Sequence, residues 1–372
     1  MVRDLARDFA DGEIAPRAEH YDRNREFPYE IIAKLAELGF MGLPIPERYG
    51  GAGADTLTYA LAVEELSRGD ASVGITVAAH TSLGTMPFLT CGTEQPKQEY
   101  VPPLARGERL WSFGLTEPQA GSDAGATQTR AVLEHGQWCI NGVKSFITNS
   151  GTTISGGVTI TAITGTQDDG KPEISNLVVS TGTSGYSVAP AYDKMGWRAS
   201  DTHELAFTDA VVPEDALLGR RGEGFHQFLT TLDGGRISVA ALSVGLAQAC
   251  YDASFKYARE RSQFGRPISK FQAIQFRLAD MATEIELARL MTYKAAWLKD
   301  QGRDFRMTAG MAKLYAAEVA TRAANHAVQI HGGYGIMEEF PVARYWRDVK
   351  IGEIGEGTSE IQRTVIARLL GA

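Results

Sequence analysis

The spacing of apolar residues changes twice along the chain, and this restricts the possible folds more than any other feature. Up to about Gly107, apolar residues recur every three or four positions, as in Ile31 to Leu38, which predicts helices. From Trp111 to about Val212, short alternating runs rich in Thr, Val and Ile are broken by Gly and Asp, which is typical of strands. After Gly224 the helical spacing returns and persists to Leu370.

This order of helices, strands and helices predicts three domains. We expect an N-terminal α-helical domain at residues 1–110, a middle antiparallel β domain at 111–216 and a C-terminal helical bundle domain at 217–372. Strands that cluster together, instead of alternating with helices, argue against a doubly wound parallel sheet.

The composition excludes several classes of protein. With 44% hydrophobic and 22% charged residues, the 372-residue chain is predicted to be globular. Its formal net charge of -8 lacks the basic field that a general nucleic-acid binder needs. No run approaches the ~18 apolar residues of a membrane span, and the stretch from Met1 to Phe9 mixes acids and bases, unlike a targeting peptide. Three scattered cysteines, Cys91, Cys139 and Cys250, fit a reducing, cytoplasmic setting.

Motifs for several common cofactors and nucleophiles are missing. No GxGxxG sequence follows a predicted strand, and neither GxxxxGK[ST] nor GxSxG occurs. This argues against nicotinamide enzymes, P-loop enzymes and Ser-based acyl transfer. The nearest histidines, His326 and His331, lie five residues apart and would face different sides of a helix, so no metal site is predicted.

A single carboxylate lies between two glycines in Gly355-Glu356-Gly357. Ser359 and Gln362 have the spacing of a capping box, so Glu356 is predicted to lie in a loop just before a helix. Such an acid can simply complement the helix dipole. Flanking glycines, however, let backbone and substrate come close to its side chain.

Six other polar segments are candidates for a binding site, although each is a weak signal by itself. They are Phe113 to Gly125, Phe146 to Asn149, Tyr192 to Thr202, Asp233 to Arg236, Arg259 to Gly265 and Gln329 to Gly335.

The chemistry of these segments suits a flavin nucleotide, although simpler explanations exist. An aromatic ring and a hydroxyl alternate at Phe146 and Thr148, which suits an isoalloxazine but is also ordinary sheet packing. Arg261 can pair with a phosphate, and the Gly332-Gly333 backbone lets an adenosine approach closely. Asp233 to Arg236 is predicted to open a helix.

Together, and in this order, these segments resemble the acyl-CoA dehydrogenase family over essentially the whole chain. The specific parts are Leu115-Thr116-Glu117-Pro118 with Gly121-Ser122-Asp123, Lys194-Met195-Gly196-Trp197-Arg198, Arg261 to Gly265, and Glu356 to Arg363. The resemblance is strongest to short- and branched-chain members. It implies an N-terminal helical domain, a β domain and a C-terminal four-helix bundle. It also implies FAD, an acyl-CoA substrate, an electron-transfer flavoprotein as acceptor, and a homotetramer.

The resemblance also implies roles for individual residues. Those that would bind FAD are Phe113, Leu115, Thr116, Ser122, Phe146, Ile147, Thr148, Arg261, Phe264, Gln272, Gln329, Ile330, Gly332, Gly333, Thr358 and Glu360. Those that would hold the acyl thioester are Ser122, Asp233, Arg236 and Gly357.

Glu356 stands at the family's usual position for the base that removes the α-proton of the thioester. Some members carry the base at the position that here is Gly235, which has no side chain to serve. The product would be a trans-2-enoyl thioester, after hydride transfer from the β-carbon to the flavin. Gly355 replaces the Tyr of the common short- and medium-chain pattern, which predicts tolerance of a branched or bulky short acyl group.

Three other interpretations stay open at this point. The same fold is used by acyl-CoA oxidases and flavin oxygenases, which pass electrons to oxygen. The acyl group can also arrive on an acyl carrier protein, because that protein presents the same pantetheine arm. A non-catalytic helical scaffold is disfavoured by the presence of Glu356, Thr148 and Arg261.

Overall fold

Seven α-helices lie within the first 105 residues of the computed structural model, which describes all 372 residues. They are α1 (Val2–Phe9), α2 (Ala15–Asn24), α3 (Tyr29–Glu37), α4 (Thr56–Gly69), α5 (Ala71–Ala78), α6 (Met86–Cys91) and α7 (Glu94–Ala105). Asp55 and Asp70 begin α4 and α5, because each carboxylate accepts hydrogen bonds from backbone N–H groups of the first turn. Two π-helical segments, Ala10–Ile14 and Ala79–Thr85, interrupt this region.

One mixed sheet follows the helices. Its strands are β1 (Leu110–Gly114), β2 (Arg130–Glu134), β3 (Gln137–Thr148), β4 (Ser155–Thr166), β5 (Pro172–Ser180), β6 (Tyr186–Val188), β7 (Thr202–Pro213) and β8 (Leu217–Leu218). The strand order is β6-β7-β3-β2-β4-β5-β8, and β1 also pairs with β4. Apolar side chains of alternate positions form a core of their own, as expected for strands with one face buried.

Long helices form the rest of the chain. They are α8 (Gly224–Glu260), α9 (Gln272–Asp300), α10 (Arg306–His331), α11 (Pro341–Gly352) and α12 (Ser359–Leu370), and a short hairpin of β9 (Ser262–Gln263) and β10 (Arg266–Pro267) links the first two. The central part of α8 is buried on all sides, since it packs against α4, α9, α10 and α11. The N-terminal and C-terminal helices therefore share one hydrophobic core.

The predicted fold class is confirmed, with two corrections. The sheet is not purely antiparallel, because β1 and β2 run parallel to β4. Asp233 to Arg236 does not open a helix but lies inside α8, nine residues after its first residue, Gly224. The two adjacent glycines resemble a helix breaker in sequence, whereas packing maintains the helix through them. β1 begins at Leu110 and β8 occupies Leu217–Leu218, so sheet residues lie just outside the region predicted as β, 111–216.

The segment between β6 and β7, which contains Gly196 and Trp197, packs the sheet against the C-terminal helices. The Trp197 N–H donates to the buried Asp348 carboxylate of α11 at 2.7 Å. Gly196 lies so close to the backbone of Arg347 that a Cβ atom there would meet it at 2.5 Å. This contact holds the β region in a fixed position relative to α11 and the loop that follows it.

None of the helices combines the length and the apolar character required to cross a membrane.

Candidate active site

Glu356 lies in the loop between α11 and α12, as predicted. Its backbone has a φ of 54°, and that of Gly357 has a φ of 93°, so two successive residues adopt the left-handed region. The helix is capped by Thr358, whose side chain accepts a hydrogen bond from the Ile361 N–H at 3.2 Å. The predicted capping box is therefore wrong: Gln362 does not return to a capping N–H group but donates to the carbonyls of Glu356 and Gly357.

The Glu356 carboxylate is buried without a hydrogen-bond partner. Both of its oxygen atoms are inaccessible, and neither accepts a hydrogen bond from the protein. Burial raises the pKa of Glu356 to about 7, while the nearby charges of Lys313 and Arg236 oppose this rise. A carboxylate with free lone pairs and a pKa near neutrality is suited to accept a proton from a bound molecule.

Gly235 of α8 provides the space that this carboxylate occupies. A Cβ atom at Gly235 would collide with Oε2 of Glu356 and would lie 3.0 Å from Cδ2 of Leu83. Leu83 belongs to the π-helical segment Ala79–Thr85, and such segments are frequent at functional sites. Three separate parts of the chain thus meet at the Glu356 carboxylate.

Asp233 and Arg236 form an ion pair close to this point. Arg236 is buried, and its Nη1 donates to Asp233 Oδ1 one turn earlier in α8. Burial raises the pKa of Asp233, and the Arg236 charge opposes that effect. The Arg236 Nε atom is buried without a partner, so the guanidinium keeps one donor for a ligand.

A second buried ion pair holds the loop that carries Ser122. Glu117 accepts hydrogen bonds from Lys144 Nζ at 2.7 Å and from the Gln128 N–H at 2.6 Å, and also from the Thr127 hydroxyl. Burial would raise the pKa of Glu117, but the Lys144 ammonium and these donors lower it overall. Glu117 at the start of the loop is thus bonded to Thr127 and Gln128 at its end, while Ser122 between them is exposed.

The predicted flavin residues of β1 and the following loop are partly occupied by protein contacts. The ring of Phe113 stacks on Phe228 of α8, with centroids 3.9 Å apart. Leu115 is buried, and the Thr116 carbonyl accepts from the Ser145 N–H at 2.8 Å. These contacts fix the segment at the boundary between the sheet and α8.

The end of β3 differs from the regular alternation that the sequence predicted. The pairing with β7 shifts its register between Lys144 and Ile147, and Phe146 adopts a φ of 61°. Phe146 is 65% exposed and lies 5.1 Å from the ring of Tyr192, so one aromatic face is free for a ligand. The side chain of Ile147 is buried in the sheet core, so its predicted contact with the cofactor would have to come from its backbone. Thr148 remains half-buried beside Phe146.

A cavity of about 530 Å³ is lined by several residues that were predicted to bind the nucleotide. It lies between the end of α8, the β9–β10 hairpin and the end of α10. Its lining includes Arg261, Ile330, Gly332, Gly333 and Tyr334. The Arg261 guanidinium lies 5.6 Å from the centre of the Tyr334 ring and has no carboxylate partner.

Four other predicted residues do not line this cavity. Phe264 is 93% exposed in the β9–β10 turn, and Gln272 is exposed at the start of α9. Gln329 is exposed on α10, and Glu360 is exposed in the first turn of α12. Within a single chain they have no shared site, so their proposed contact with the cofactor stays a prediction.

Sequence reasoning missed Lys313, Leu83 and Lys144. Lys313 lies on α10 between Ala309 and Ala316, in the phase of the buried alanines, and is fully buried. A lysine in the apolar phase of a helix was the one available signal for it. Leu83 gave no signal, because nothing local distinguishes it from an ordinary core leucine.

Three family models match the chain in consecutive order. They are the acyl-CoA dehydrogenase N-terminal domain at residues 1–108, the middle domain at 112–210 and the C-terminal domain at 222–371. Among curated proteins, the chain is 57% identical to a probable acyl-CoA dehydrogenase of Bacillus subtilis, over 100% of this chain and 97% of that protein. It is 45% identical to a short-chain specific acyl-CoA dehydrogenase of Clostridium acetobutylicum, over 99% and 96% of the respective chains.

Solved structures agree with these relatives. Butyryl-CoA dehydrogenase from Megasphaera elsdenii superposes with a TM-score of 0.96 at 43% identity, over 100% of this chain and 97% of that chain. A chain solved in work on the electron transferring flavoprotein of Acidaminococcus fermentans gives 0.96 at 46%, with the same coverage. An acyl-CoA dehydrogenase from Bacillus anthracis complexed with FAD gives 0.93 at 32%, over 100% of this chain and 66% of that chain.

Proposed function

This chain belongs to the acyl-CoA dehydrogenase family, and we propose that Glu356 is the base with which it oxidises a short or branched acyl-CoA. The chain is an oxidoreductase that acts on acyl-CoA and uses FAD. The observation that carries the assignment of the base is the buried Glu356 carboxylate, whose two oxygen atoms have no partner in the protein.

The residues present fit FAD. Arg261 has no carboxylate partner and faces the cavity beside the backbone of Gly332 and Gly333, where nothing lies within 4 Å of an added Cβ. A guanidinium suits the diphosphate, and an open glycine backbone suits the adenosine. The exposed ring of Phe146, next to the half-buried Thr148 hydroxyl, offers a surface and a donor for the flavin ring.

The protein's own residues then bind the thioester and move one proton. The Asp233–Arg236 pair on α8 holds the substrate arm beside Gly235, and the Ser122 loop approaches from the sheet. Glu356 takes the α-proton, and the electron pair of that C–H bond forms the α,β double bond. FAD bound here would supply the acceptor for the hydride that leaves the β-carbon, and the product would be a trans-2-enoyl thioester. Exclusion of water by the substrate keeps the proton transfer within a low-dielectric site.

The size of the acyl group is proposed from Gly355. A Cβ atom there would meet only the Ile351 carbonyl oxygen, at 3.4 Å, so the space next to the base is open. A position without a side chain beside the reacting carbons leaves volume for a methyl branch or another bulky short group. This supports a short or branched substrate over a long linear one.

The expected test is the replacement Glu356→Gln in the FAD-loaded enzyme. It removes the base but keeps size and shape, so we expect bound flavin to be retained while substrate-dependent bleaching slows by several orders of magnitude, of the size seen when an essential catalytic group is removed. Anaerobic titration with a panel of acyl thioesters measures both the rate and the preferred acyl group. Bleaching at a near-normal rate in this variant would contradict the assignment.

We also propose that the protein works in the cytoplasm as a homotetramer that passes electrons to an electron-transfer flavoprotein. Apolar side chains of α9, including Leu287, Leu290 and Trp297, are exposed in the single chain and suit contact with further copies. The A. fermentans relative supports the choice of acceptor. Light scattering measures the assembly state, and peroxide formed in step with substrate would instead favour an oxidase.

A further inference from the structure

Lys313 of α10 is a buried cation whose presence the packing of the helix does not explain. Its side chain is fully buried, and the same face of α10 is otherwise built from alanines such as Ala309 and Ala316. Its Nζ atom donates to the Gly357 carbonyl at 2.6 Å and has no carboxylate within ion-pair distance. An ammonium group buried without a direct counter-ion is costly, so its presence in the core calls for an explanation other than packing.

The carbonyl that Lys313 binds belongs to the residue after Glu356. Glu356 is a non-glycine residue in the left-handed region, a conformation that costs about 1–2 kcal/mol. Gln362 Nε2 donates to the Glu356 carbonyl at 3.2 Å and to the Gly357 carbonyl at 3.1 Å. Lys313 and Gln362 therefore hold the strained backbone of Glu356 from two sides.

Lys313 also places its charge near the Glu356 side chain. Burial lowers the pKa of Lys313 to about 8, and Glu356 provides the largest charge effect that raises it again. Of the two cations that lower the pKa of Glu356, Lys313 has the larger effect, and Arg236 is already paired with Asp233.

The other charged and titratable groups near this pair are few. Glu353, which follows α11 and is half-buried, and the exposed Glu360 of α12 raise the pKa of Lys313 by smaller amounts than Glu356 does. Tyr59 of α4 is buried and has a raised pKa, so it stays uncharged at neutral pH. Of the two cations that act on Glu356, Lys313 is therefore the one whose charge is not already neutralised by a direct ion pair.

We propose that Lys313 is a positioning residue that fixes the backbone of the base loop and keeps the Glu356 carboxylate ionised during turnover. Its hydrogen bond sets where the carboxylate lies, and its charge makes the ionised form more stable. The effect of Lys313 on the reaction rests on the proposed role of Glu356 as the base.

The experiment measures the ionisation of Glu356 directly in the FAD-loaded enzyme. Infrared difference spectra between wild type and Glu356→Gln isolate the carboxylic-acid C=O band of this residue, and its intensity against pH gives the midpoint. Lys313→Met removes charge and donor, Lys313→Gln removes the charge but keeps a donor, and Lys313→Arg keeps the charge. The exposed Lys171 of the β4–β5 hairpin, changed to Gln, controls for the loss of a surface charge.

Removing the positive charge makes the ionised carboxylate less stable, so its pKa must rise. We expect the midpoint to move up by about one pH unit in Lys313→Met and Lys313→Gln, as for loss of a nearby opposite charge. It should remain in place in Lys313→Arg and Lys171→Gln. The Lys313→Gln variant guards against a folding failure of the other two, because its side chain is similar in length and polar. An unmoved midpoint in Lys313→Gln would overturn the inference, since a purely structural lysine would change flavin content or stability without moving it.

The pH profile of anaerobic flavin reduction separates this inference from the proposed function. If Glu356 is the base, the low-pH decline of the rate coincides with the infrared midpoint in every variant and moves with it. A midpoint that moves in Lys313→Gln while the rate profile stays in place would support the electrostatic role of Lys313 and contradict the role of Glu356. If the rate profile coincides with an infrared midpoint that does not move in Lys313→Gln, the role of Glu356 as the base is supported and the electrostatic role of Lys313 is contradicted.

Discussion

Replacing Gly235 with Ala tests whether the Glu356 carboxylate lies where the chemistry needs it. The added Cβ would collide with Oε2 of Glu356 and would lie 3.0 Å from Leu83 Cδ2. Both atoms are at the ends of flexible side chains, so the protein can accommodate the methyl group by moving them. An ordinary carbon–oxygen separation requires the carboxylate to retreat by about 1 Å. A displacement of this size at a reacting group costs roughly 100-fold in rate.

The neighbouring Gly234 offers a matched control on the same helix. A Cβ atom there would meet only Lys299 Nζ, at 3.3 Å, and would not touch Glu356. Both substitutions replace a helix-interior glycine by alanine, which favours the folded state by about 1 kcal/mol. We therefore expect both variants to retain flavin and to melt at or slightly above the wild-type temperature, because neither leaves a cavity.

The two variants should differ only in the chemical step. Anaerobic stopped-flow mixing with an acyl-CoA substrate measures flavin bleaching; Gly235→Ala is expected to be about 100-fold slower, and Gly234→Ala to stay within about threefold of wild type. Equal rates in the two variants would refute the reasoning, because they would show that the carboxylate facing Gly235 does not take part in the reaction.

Two further predictions concern the acyl pocket and the Ser122 loop. Gly355→Tyr fills the open space beside the base, so kcat/KM should fall at least about tenfold more for a methyl-branched acyl-CoA than for a linear acyl-CoA. In the control variant Gly355→Ala, the losses of kcat/KM for the two substrates should differ far less. Equal losses for both substrates in Gly355→Tyr would contradict the pocket assignment. Lys144→Met leaves Glu117 buried without its cation and should lower stability by about 3–5 kcal/mol, with loss of flavin on dilution. Differential scanning calorimetry measures this loss, and the double variant with Glu117→Gln should recover part of it; no recovery would show that packing alone causes the effect.

The sequence was sufficient for the order of the three regions and for the position of Glu356. Helical and strand spacings differ enough to separate the regions, and a glycine on each side of an acid marks an unusual loop. Contacts between distant parts of the chain were not predictable in this way. Gln362 resembled a capping residue because its alternative partners, the Glu356 and Gly357 carbonyls, are defined only by the folded loop.

The glycines of α8 are a second case in which a contact between distant parts of the chain was not predictable from the sequence. Gly234 and Gly235 suggested the start of a helix, because glycine is unfavourable in a helix interior. In the folded chain Gly235 leaves the space that the Glu356 carboxylate occupies, and Glu356 lies more than a hundred residues later in the chain. Lys313 was missed for a related reason, since its partner is a backbone carbonyl of the same distant loop.

The shared space at Gly235 and Glu356 has a consequence for how the family can change. A side chain at position 235 and the carboxylate of Glu356 compete for one volume, so a chain of this type cannot hold an acid at both positions in their present geometry. A base placed on α8 at position 235 would therefore require a second substitution, at position 356, that clears this volume. An ancestor moving between the two arrangements would pass through a form with a displaced base or with none. The two positions therefore have to change together if the base is to move without loss of the reaction.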